Sequence, residues 1–324
     1  MHSVSLPEVQ RAATLPTAAS AAEVRDLQQR AHAADHVAPL SEQTMLSLAE
    51  APGPGVRHLL TYAAERLTGY AQIQLPDRGD PSAELVVDPD HRRQGIGGAL
   101  LGSVLSDHPT ARLWAHGNLP AAQALAARHG LTVVRELHKM ARGLSEAAAS
   151  GTDAPLPPGF HARSFEPGRD EQAWLRVNAA AFSHHPEQGR LALADLRERM
   201  AQPWFDASGL ILVTADDVAA DAPDDLAAFH WTKVDPDQSS TIDPSRTAGE
   251  VYVVAVDPAY QGRGLGRPVT ALGLAHLARL GLPEVVLYVD GDNQAAIRTY
   301  STLGFRSIMV DVMYSRVVHP PLSG

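Results

Sequence analysis

Two stretches of the chain carry the same order of apolar and polar positions. Residues 83–87 form a short apolar run that predicts a buried strand, residues 88–97 a polar turn, and residues 98–105 a helix. In the second stretch the strand is 250–256, the turn 257–266 and the helix 268–280. Further on, 112–115 and 285–289 read as short strands. Each leads into an Ala-rich helix that stops at Gly130 or Gly304, the residue best suited to a left-handed C-cap. Residues 226–234 are also strand-like and lie between two stretches, 216–225 and 235–249, whose Asp, Pro and Ser content predicts surface loops.

The two stretches are copies of one unit. DPDHRRQGIG (88–97) aligns without gaps on DPAYQGRGLG (257–266), and LWAHGNLPAAQALAARHGL (113–131) on LYVDGDNQAAIRTYSTLGF (287–305). The offset is 169 in the first block and 174 in the second, so one small insertion separates them. A repeat of this length indicates a duplicated domain and not a solenoid. Residues 144–159, LSEAAASGTDAPLPPG, have no hydrophobic period and read as a linker. The expected organisation is therefore a first domain over 1–143 and a second over 160–318. A fainter echo relates Glu42-Gln43 to Glu187-Gln188, each pair following an opening helix.

Composition narrows the partners. The 324 residues carry 27 Lys+Arg against 37 Asp+Glu, a formal charge of -10, which disfavours nucleic acid. With no cysteine, disulfides, a Cys nucleophile and thiolate-held metals are excluded. No run of 18 apolar residues and no signal-peptide core is visible, so a cytoplasmic protein without a membrane span is expected. The 15 histidines include no H-E-x-x-H, and His184-His185 is not a ligand spacing, so no metal is expected.

The turn itself suggests chemistry. A strand running into Q-x-x-G-x-G and then a helix directs several backbone N–H groups, and the positive end of the helix dipole, at one point. Gly264 and Gly266 allow the tight turn, while Arg263 and Arg267 add positive charge. A diphosphate suits that place. Gly266-Arg267-Pro268 lacks the G-K-[ST] of a P-loop, and Arg267 stands where a dinucleotide fingerprint needs its third Gly.

The blocks VYVVAVDPAYQGRGLGRPV and LYVDGDNQAAIRTYSTLGF resemble motifs A and B of the GNAT acetyltransferases. The resemblance covers the motif regions of both halves. It implies an α/β fold of two tandem GNAT domains, each a mixed β-sheet flanked by helices, using acetyl-CoA as co-substrate. In the first copy it assigns cofactor contacts to Leu85, Val86, Val87, Arg93, Gln94, Gly95, Ile96, Gly97 and Gly98. In the second it assigns Val254, Ala255, Val256, Gln261, Gly262, Arg263, Gly264, Leu265, Gly266 and Arg267, then Asn293, Gln294, Ala295, Ala296, Ile297 and Arg298.

The tandem arrangement and the segments HPEQG, FHWTKV and GEVYVVAVDP are similar to a branch of the family that acetylates the cysteinyl amine of a small pseudodisaccharide thiol. That likeness implies a small-molecule acceptor, a monomer, and acceptor contacts from Glu42, Glu187, Lys233, Glu250 and Tyr288. Taken alone, Lys233 reads equally as an exposed strand-end lysine, Glu187 as a helix-start acid, and Tyr288 as a residue packed in the sheet.

Acetyl transfer to an amine needs a base for the amine and an acid for the departing thiolate. Glu250, opening the strand before the turn, is the candidate base, and strand alternation puts Glu250, Tyr252, Val254 and Val256 on one side. Tyr300 occupies the place where the family carries its general acid. In the first copy Pro81 aligns with Glu250, Ala126 with Tyr300 and Leu119 with Asn293. The first domain is therefore expected to bind acetyl-CoA without catalysing. Two other readings stay open, a different tandem N-acetyltransferase for small molecules or peptides and a non-catalytic acyl-CoA sensor.

Overall fold

A computed structural model describes residues 7–316 except 14, 16, 49–54, 78, 145–153, 184–187, 217–225 and 237. The candidate Glu187, the His184-His185 pair, most of the predicted linker and most of the 216–225 loop thus lie outside the described residues. Among those described, no helix is long and apolar enough to cross a membrane.

The chain divides into two compact units that are not contiguous in sequence. One comprises the described residues of Met1–His138, Asp290–Asp292 and Met309–Gly324, the other those of Lys139–Val289 and Asn293–Ile308. The first unit is a sheet in the order β1 (Gln10–Ala12), β2 (Val56–Ala63), β3 (Arg66–Gln74), β4 (Ser82–Val87), β5 (Arg112–Ala115) and β12 (Arg306–Arg316). All neighbouring pairs in it are antiparallel except β4 and β5, which are parallel. The second unit repeats this order with β7 (Phe160–Ser164), β8 (Leu210–Ala215), β9 (Leu226–Lys233), β10 (Gly249–Val256), β11 (Glu284–Asp290) and β6 (Leu131–Gly143). Here β10 and β11 are the parallel pair. The last position of each sheet is thus filled from the other half of the sequence: residues 309–316 complete the first unit and residues 139–143 the second. No local signal predicts that exchange.

Helices cover both faces of each sheet. In the first unit α1 (Ala18–Asp35) packs Val24, Leu27 and Ala31 on Leu60, Leu67, Tyr70 and Val86. On the other face α3 (Ile96–Asp107) packs Leu100, Leu101 and Val104 on Leu59, Ala71 and Ile73, and Val312 and Tyr314 of β12 join that core. The short α2 (Glu42–Ser47) and α4 (Pro120–Arg128) complete the unit. In the second unit α5 (Glu171–Ala181) and α6 (Leu193–Met200) bury Trp174, Val177 and Leu196 against Leu210, Leu212, Phe229, Trp231, Val253 and Ala255. On the opposite face α7 (Gly266–Arg279) and α8 (Gln294–Thr302) contribute Leu274, Leu277 and Ile297 to a core with Val251, Val285 and Leu287. Each such buried Leu or Val contributes about 1.5–3 kcal/mol of burial free energy.

Observed boundaries follow the predicted pattern closely. Both repeat helices begin two residues earlier than the apolar pattern predicts, at Ile96 and Gly266. Pro268 is tolerated in the first turn of α7 because the N–H it lacks would have no intrahelical partner there. One close approach fixes the distance between α7 and β9. A Cβ at Gly273 would stand 2.2 Å from the ring of the buried His230, whose Nδ1 lies 3.0 Å from the Val269 carbonyl.

Candidate active site

The second unit opens its sheet where the glycine turn begins. The β10–β11 ladder covers only Gly249, Glu250 and Val251, paired in that order with Val285, Val286 and Leu287. Both strands run on, yet β10 continues to pair only with β9, as far as Val256 opposite Ala228. The backbone at Val254, Ala255 and Val256 therefore leaves an edge on which an extended ligand arm can align like an added strand. The first unit repeats the device, its β4–β5 ladder stopping at Ala83 and Leu113 while β4 runs on to Val87.

Each turn that follows is anchored by an Asp. The Asp257 carboxylate accepts the Ala259 N–H at 2.8 Å and Arg176 at 3.1 Å. Asp88 does the same with the Asp90 N–H at 3.0 Å and with Arg30 at 2.9 Å. Burial alone would raise the Asp88 carboxyl, but the bonds from Arg30, the Asp90 N–H and His91 hold it below the usual range. Beyond the anchor the backbone turns left-handed at Gly262 (φ 79) and Gly264 (φ 78) and enters α7. The aligned residues Arg93 (φ 64) and Gly95 (φ 88) adopt the same conformation before α3. A Cβ would meet nothing within 4 Å at Gly262, so conformation and not space calls for glycine there. Gly266, expected to share in the turn, is instead the first residue of α7. The Arg263 guanidinium stands over the Tyr260 ring at 4.9 Å. Both turns thus present helix N-termini framed by a left-handed loop, an arrangement that fits a pyrophosphate.

A β-bulge corrects one expectation. The register of β10 on β9 slips between Val251 and Val253, with Tyr252 the extra residue. Tyr252, Val253 and Ala255 consequently pack towards the α5–α6 face, whereas Val254 and Val256 pack on the opposite face. The strict alternation predicted for Glu250, Tyr252, Val254 and Val256 is broken because two residues oppose one at the bulge.

Glu250 and Lys233 occupy opposed positions on β10 and β9. Glu250 is only 8% exposed and Lys233 5%, so Lys233 is not the exposed strand-end lysine that composition alone allowed. The Lys233 ammonium lies 4.8 Å from the Trp204 ring centroid, 5.4 Å from that of Tyr252, and 3.2 Å from an Asp235 carboxylate oxygen. Arg199 in turn donates to the Tyr252 hydroxyl at 3.1 Å. Trp204 and Asp235 carry no sequence expectation and Tyr252 only that of a strand position, although the alternation of Trp231 and Lys233 in HWTKV places both on the face that Tyr252 shares.

Tyr300 lies on α8, packed edge-on against Phe305 at 5.8 Å, and burial raises its hydroxyl above the usual phenol range. Asn293 caps the same helix, its side chain accepting the Ala296 N–H at 3.1 Å. Tyr288 is 38% exposed rather than packed within the sheet, and Lys139 stands 5.6 Å from its ring. The amide of the buried Asn178 on α5 donates to the Gln188 main-chain carbonyl at 2.7 Å, and the Gln188 amide donates to the Asn178 side-chain oxygen at 2.9 Å. In the first unit Glu42 is the first residue of α2, behind the Ser41 N-cap.

The aligned site of the first unit is a cavity of about 750 Å³, lined by Leu85, Val86, Val87, by Arg92, Arg93 and residues 95–98 of the turn, and by residues of α4, whereas Gln94 is not among its lining residues. Ala126 stands where the second unit has Tyr300. Among the described residues no group of three or more His, Asp or Glu side chains is arranged to hold a metal.

Residues 174–305 match the acetyltransferase (GNAT) family, and residues 55–131 match an acetyltransferase (GNAT) domain. Proteins named mycothiol acetyltransferase are similar over nearly the whole chain. That of Rhodococcus jostii (strain RHA1) is 49% identical over 301 residues, covering 91% of this chain and 94% of the relative. That of Catenulispora acidiphila is 45% identical over 331 residues, covering 97% and 99%. The fold is shared with a tandem GNAT protein from the clavulanic acid biosynthesis pathway, at TM-score 0.67 and 19% identity over 97% of this chain and 100% of that one. A GCN5-related N-acetyltransferase from Sphaerobacter thermophilus gives TM-score 0.64 and 20% identity over 98% of both chains. The protein is an acetyl-CoA-dependent N-acetyltransferase of two GNAT domains, and it belongs to the mycothiol acetyltransferase family.

Proposed function

We propose that the protein is a mycothiol synthase, transferring acetyl from acetyl-CoA to the cysteinyl amine of the pseudodisaccharide Cys-GlcN-Ins. The observation that carries the mechanism is the buried Glu250, the second residue of β10, where that strand still pairs with β11, just before the edge at 254–256 opens. Acetyl-CoA supplies the activated thioester. The turn at Gly262 and Gly264 holds its pyrophosphate, with Arg263 and Arg267 adding charge. The open edge of Val254, Ala255 and Val256 aligns the pantetheine arm and offers a backbone N–H to the carbonyl oxygen.

An α-amino group has an ordinary pKa of about 7.7–8.0, so much of it is protonated at neutral pH. Glu250 removes that proton, directly or through water, and exposes the nitrogen lone pair. Its position also selects nitrogen over the acceptor's own thiol, which is the better intrinsic nucleophile. Tyr300 then gives its proton to the CoA thiolate. Burial that keeps the phenol protonated favours this role over that of a base. Lys233, Glu187 and Tyr288 contact the acceptor. Lys233 is held for this by Trp204, Tyr252 and Asp235.

In this reading the second unit catalyses, while the first binds acetyl-CoA through its own turn and cavity without turning it over. The enzyme acts as a cytoplasmic monomer and needs no metal. Incubation with acetyl-CoA and Cys-GlcN-Ins, with release of CoA as the readout, tests the assignment. Release with this acceptor and not with other amines supports it. Equal turnover of unrelated amines points to a different N-acetyltransferase, and binding without turnover to a sensor.

A further inference from the structure

The cavity of the first unit differs from the site of the second at two aligned positions. In the second unit the rings of Tyr300 and Phe305 meet edge-on at 5.8 Å. Their counterparts in the first unit, Ala126 and Leu131, carry no ring, and both line the cavity. Leu101, Leu113, Leu125 and Tyr314 line it with them and pack in the same core. The proposed mechanism puts the Tyr300 hydroxyl at the CoA sulfur, so the aligned Ala126 marks the sulfur and acyl end of the first cavity. The glycine turn marks its pyrophosphate end. Loss of two rings therefore leaves apolar space where an acyl chain would lie.

Polar side chains on the cavity wall are committed within the unit. His116, at the end of β5, donates from Nε2 to Glu84 of β4 and from Nδ1 to Asp311 of β12, each at 3.2 Å. The other oxygen of each carboxylate is engaged too, Asp311 by the Gly117 N–H at 2.7 Å and Glu84 by the Ser41 N–H at 2.8 Å. Burial works against a charge on His116, but the hydrogen bonds and negative charge of Asp311 and Glu84 raise it to about 10, so both nitrogens keep their protons at neutral pH. The Tyr314 hydroxyl donates to Asn118, and Asp35 takes Arg92 at 2.6 Å. A polar group on the acyl chain would forfeit its hydrogen bonds with water for none here, whereas methylenes lose nothing. Neither carboxylate can take a proton from a nucleophile while it holds the imidazolium, which fits binding without turnover.

We infer that the first unit prefers a linear acyl-CoA longer than acetyl, in the range of butyryl to hexanoyl, with its chain seated against Ala126 and Leu131. The inference rests on the reading that the first unit binds a CoA thioester through its own turn. The two units then share the nucleotide end of their ligand and differ in the acyl group.

Titration calorimetry of the full-length protein carrying Gly264→Glu, in which the second turn is blocked, tests this with acetyl-CoA, butyryl-CoA and hexanoyl-CoA. Each buried methylene is worth about fourfold in affinity, so butyryl-CoA should bind at least about tenfold more tightly than acetyl-CoA. Adding Ala126→Tyr, or Leu131→Phe in a second variant, restores a ring of the second unit and should bring the three affinities together. Adding Gly95→Glu should remove all three, and binding that persists there overturns the inference. Equal affinity for the three thioesters in Gly264→Glu, or a chain-length gain that survives both ring variants, also overturns it and leaves acetyl-CoA binding by the first unit standing. Absence of binding by any of the three in Gly264→Glu overturns that reading and the inference together. Should neither ring variant fold, the chain-length series in Gly264→Glu decides alone.

Discussion

The imidazole of His116 holds the carboxylate of Asp311 at 3.2 Å across 195 residues of sequence. Asp311 lies on β12, whose residues 309–316 complete the sheet of the first unit, with Val312 and Tyr314 buried in its α3 core. The Tyr314 hydroxyl also donates to the Asn118 side chain at 2.7 Å. Two buried side chains at about 1.5–3 kcal/mol each are a large share of a typical domain's stability of about 5–15 kcal/mol. Deleting residues 309–324 should therefore expose α3 and β5 to rapid hydrogen exchange. Retained protection in both elements would show that the first unit does not depend on the chain's last strand.

Tyr300→Phe should lower kcat by roughly 10²–10⁴-fold while leaving the KM for acetyl-CoA nearly unchanged. Steady-state kinetics under saturating acceptor measures this. Full activity in the variant removes the phenol from the mechanism.

The two turns have the same backbone and should have unequal consequences. Gly264→Glu places a side chain and a negative charge at a residue with φ 78, facing the expected pyrophosphate, and should abolish turnover. Gly95→Glu at the aligned residue, φ 88, should spare the chemical step as long as the unit folds. Equal loss in single-turnover assays of the two folded variants would contradict a division of labour between the units.

Gly273→Ala forces a methyl group to within 2.2 Å of the buried His230 ring, which has no room to swing away. Overpacking of this kind typically costs about 1–3 kcal/mol. Urea unfolding monitored by the fluorescence of Trp231, buried on the same strand as His230, reports on it. A loss below about 0.5 kcal/mol would mean α7 shifts freely on the sheet.

Stability should decline on both sides of neutrality through different histidines. Burial lowers His230, and likewise His58, to about 4, so their neutral forms favour the fold above the ordinary value near 6.5. That contribution fades as pH falls from about 6.5 towards 4. His116 is raised to about 10, so its contribution is complete below about 6.5 and is lost as pH climbs towards 10. Melting temperatures from pH 6.5 to 10 should fall more steeply in wild type than in His116→Gln. Parallel profiles would exclude the His116 ion pairs as the source of the alkaline loss.

Much of the fold was legible from the chain. The predicted strand at 112–115 coincides with β5, and the repeat predicted a duplicated domain, whose two copies fold to sheets of the same strand order because equal spacing of strand, turn and helix folds to equal units. The glycine turn was legible for the same reason, since left-handed φ leaves a mark on composition. The bulge at Tyr252 was not, because its neighbours Val251 and Val253 are as apolar as any regular strand and the slip is defined only by the partner β9.

The sequence by itself therefore determined the duplicated unit, the turns that suit a pyrophosphate, and the asymmetry of Glu250 and Tyr300 against Pro81 and Ala126. Those features are local and are written in residue type and spacing. Tertiary structure alone decided that β12 and β6 complete the units they do, that Lys233 is buried against Trp204 and Tyr252, and that His116 meets Glu84 and Asp311. Strand pairing and the burial of charge depend on which distant segments meet. A one-dimensional pattern holds which face a residue prefers, but not which partner waits on that face.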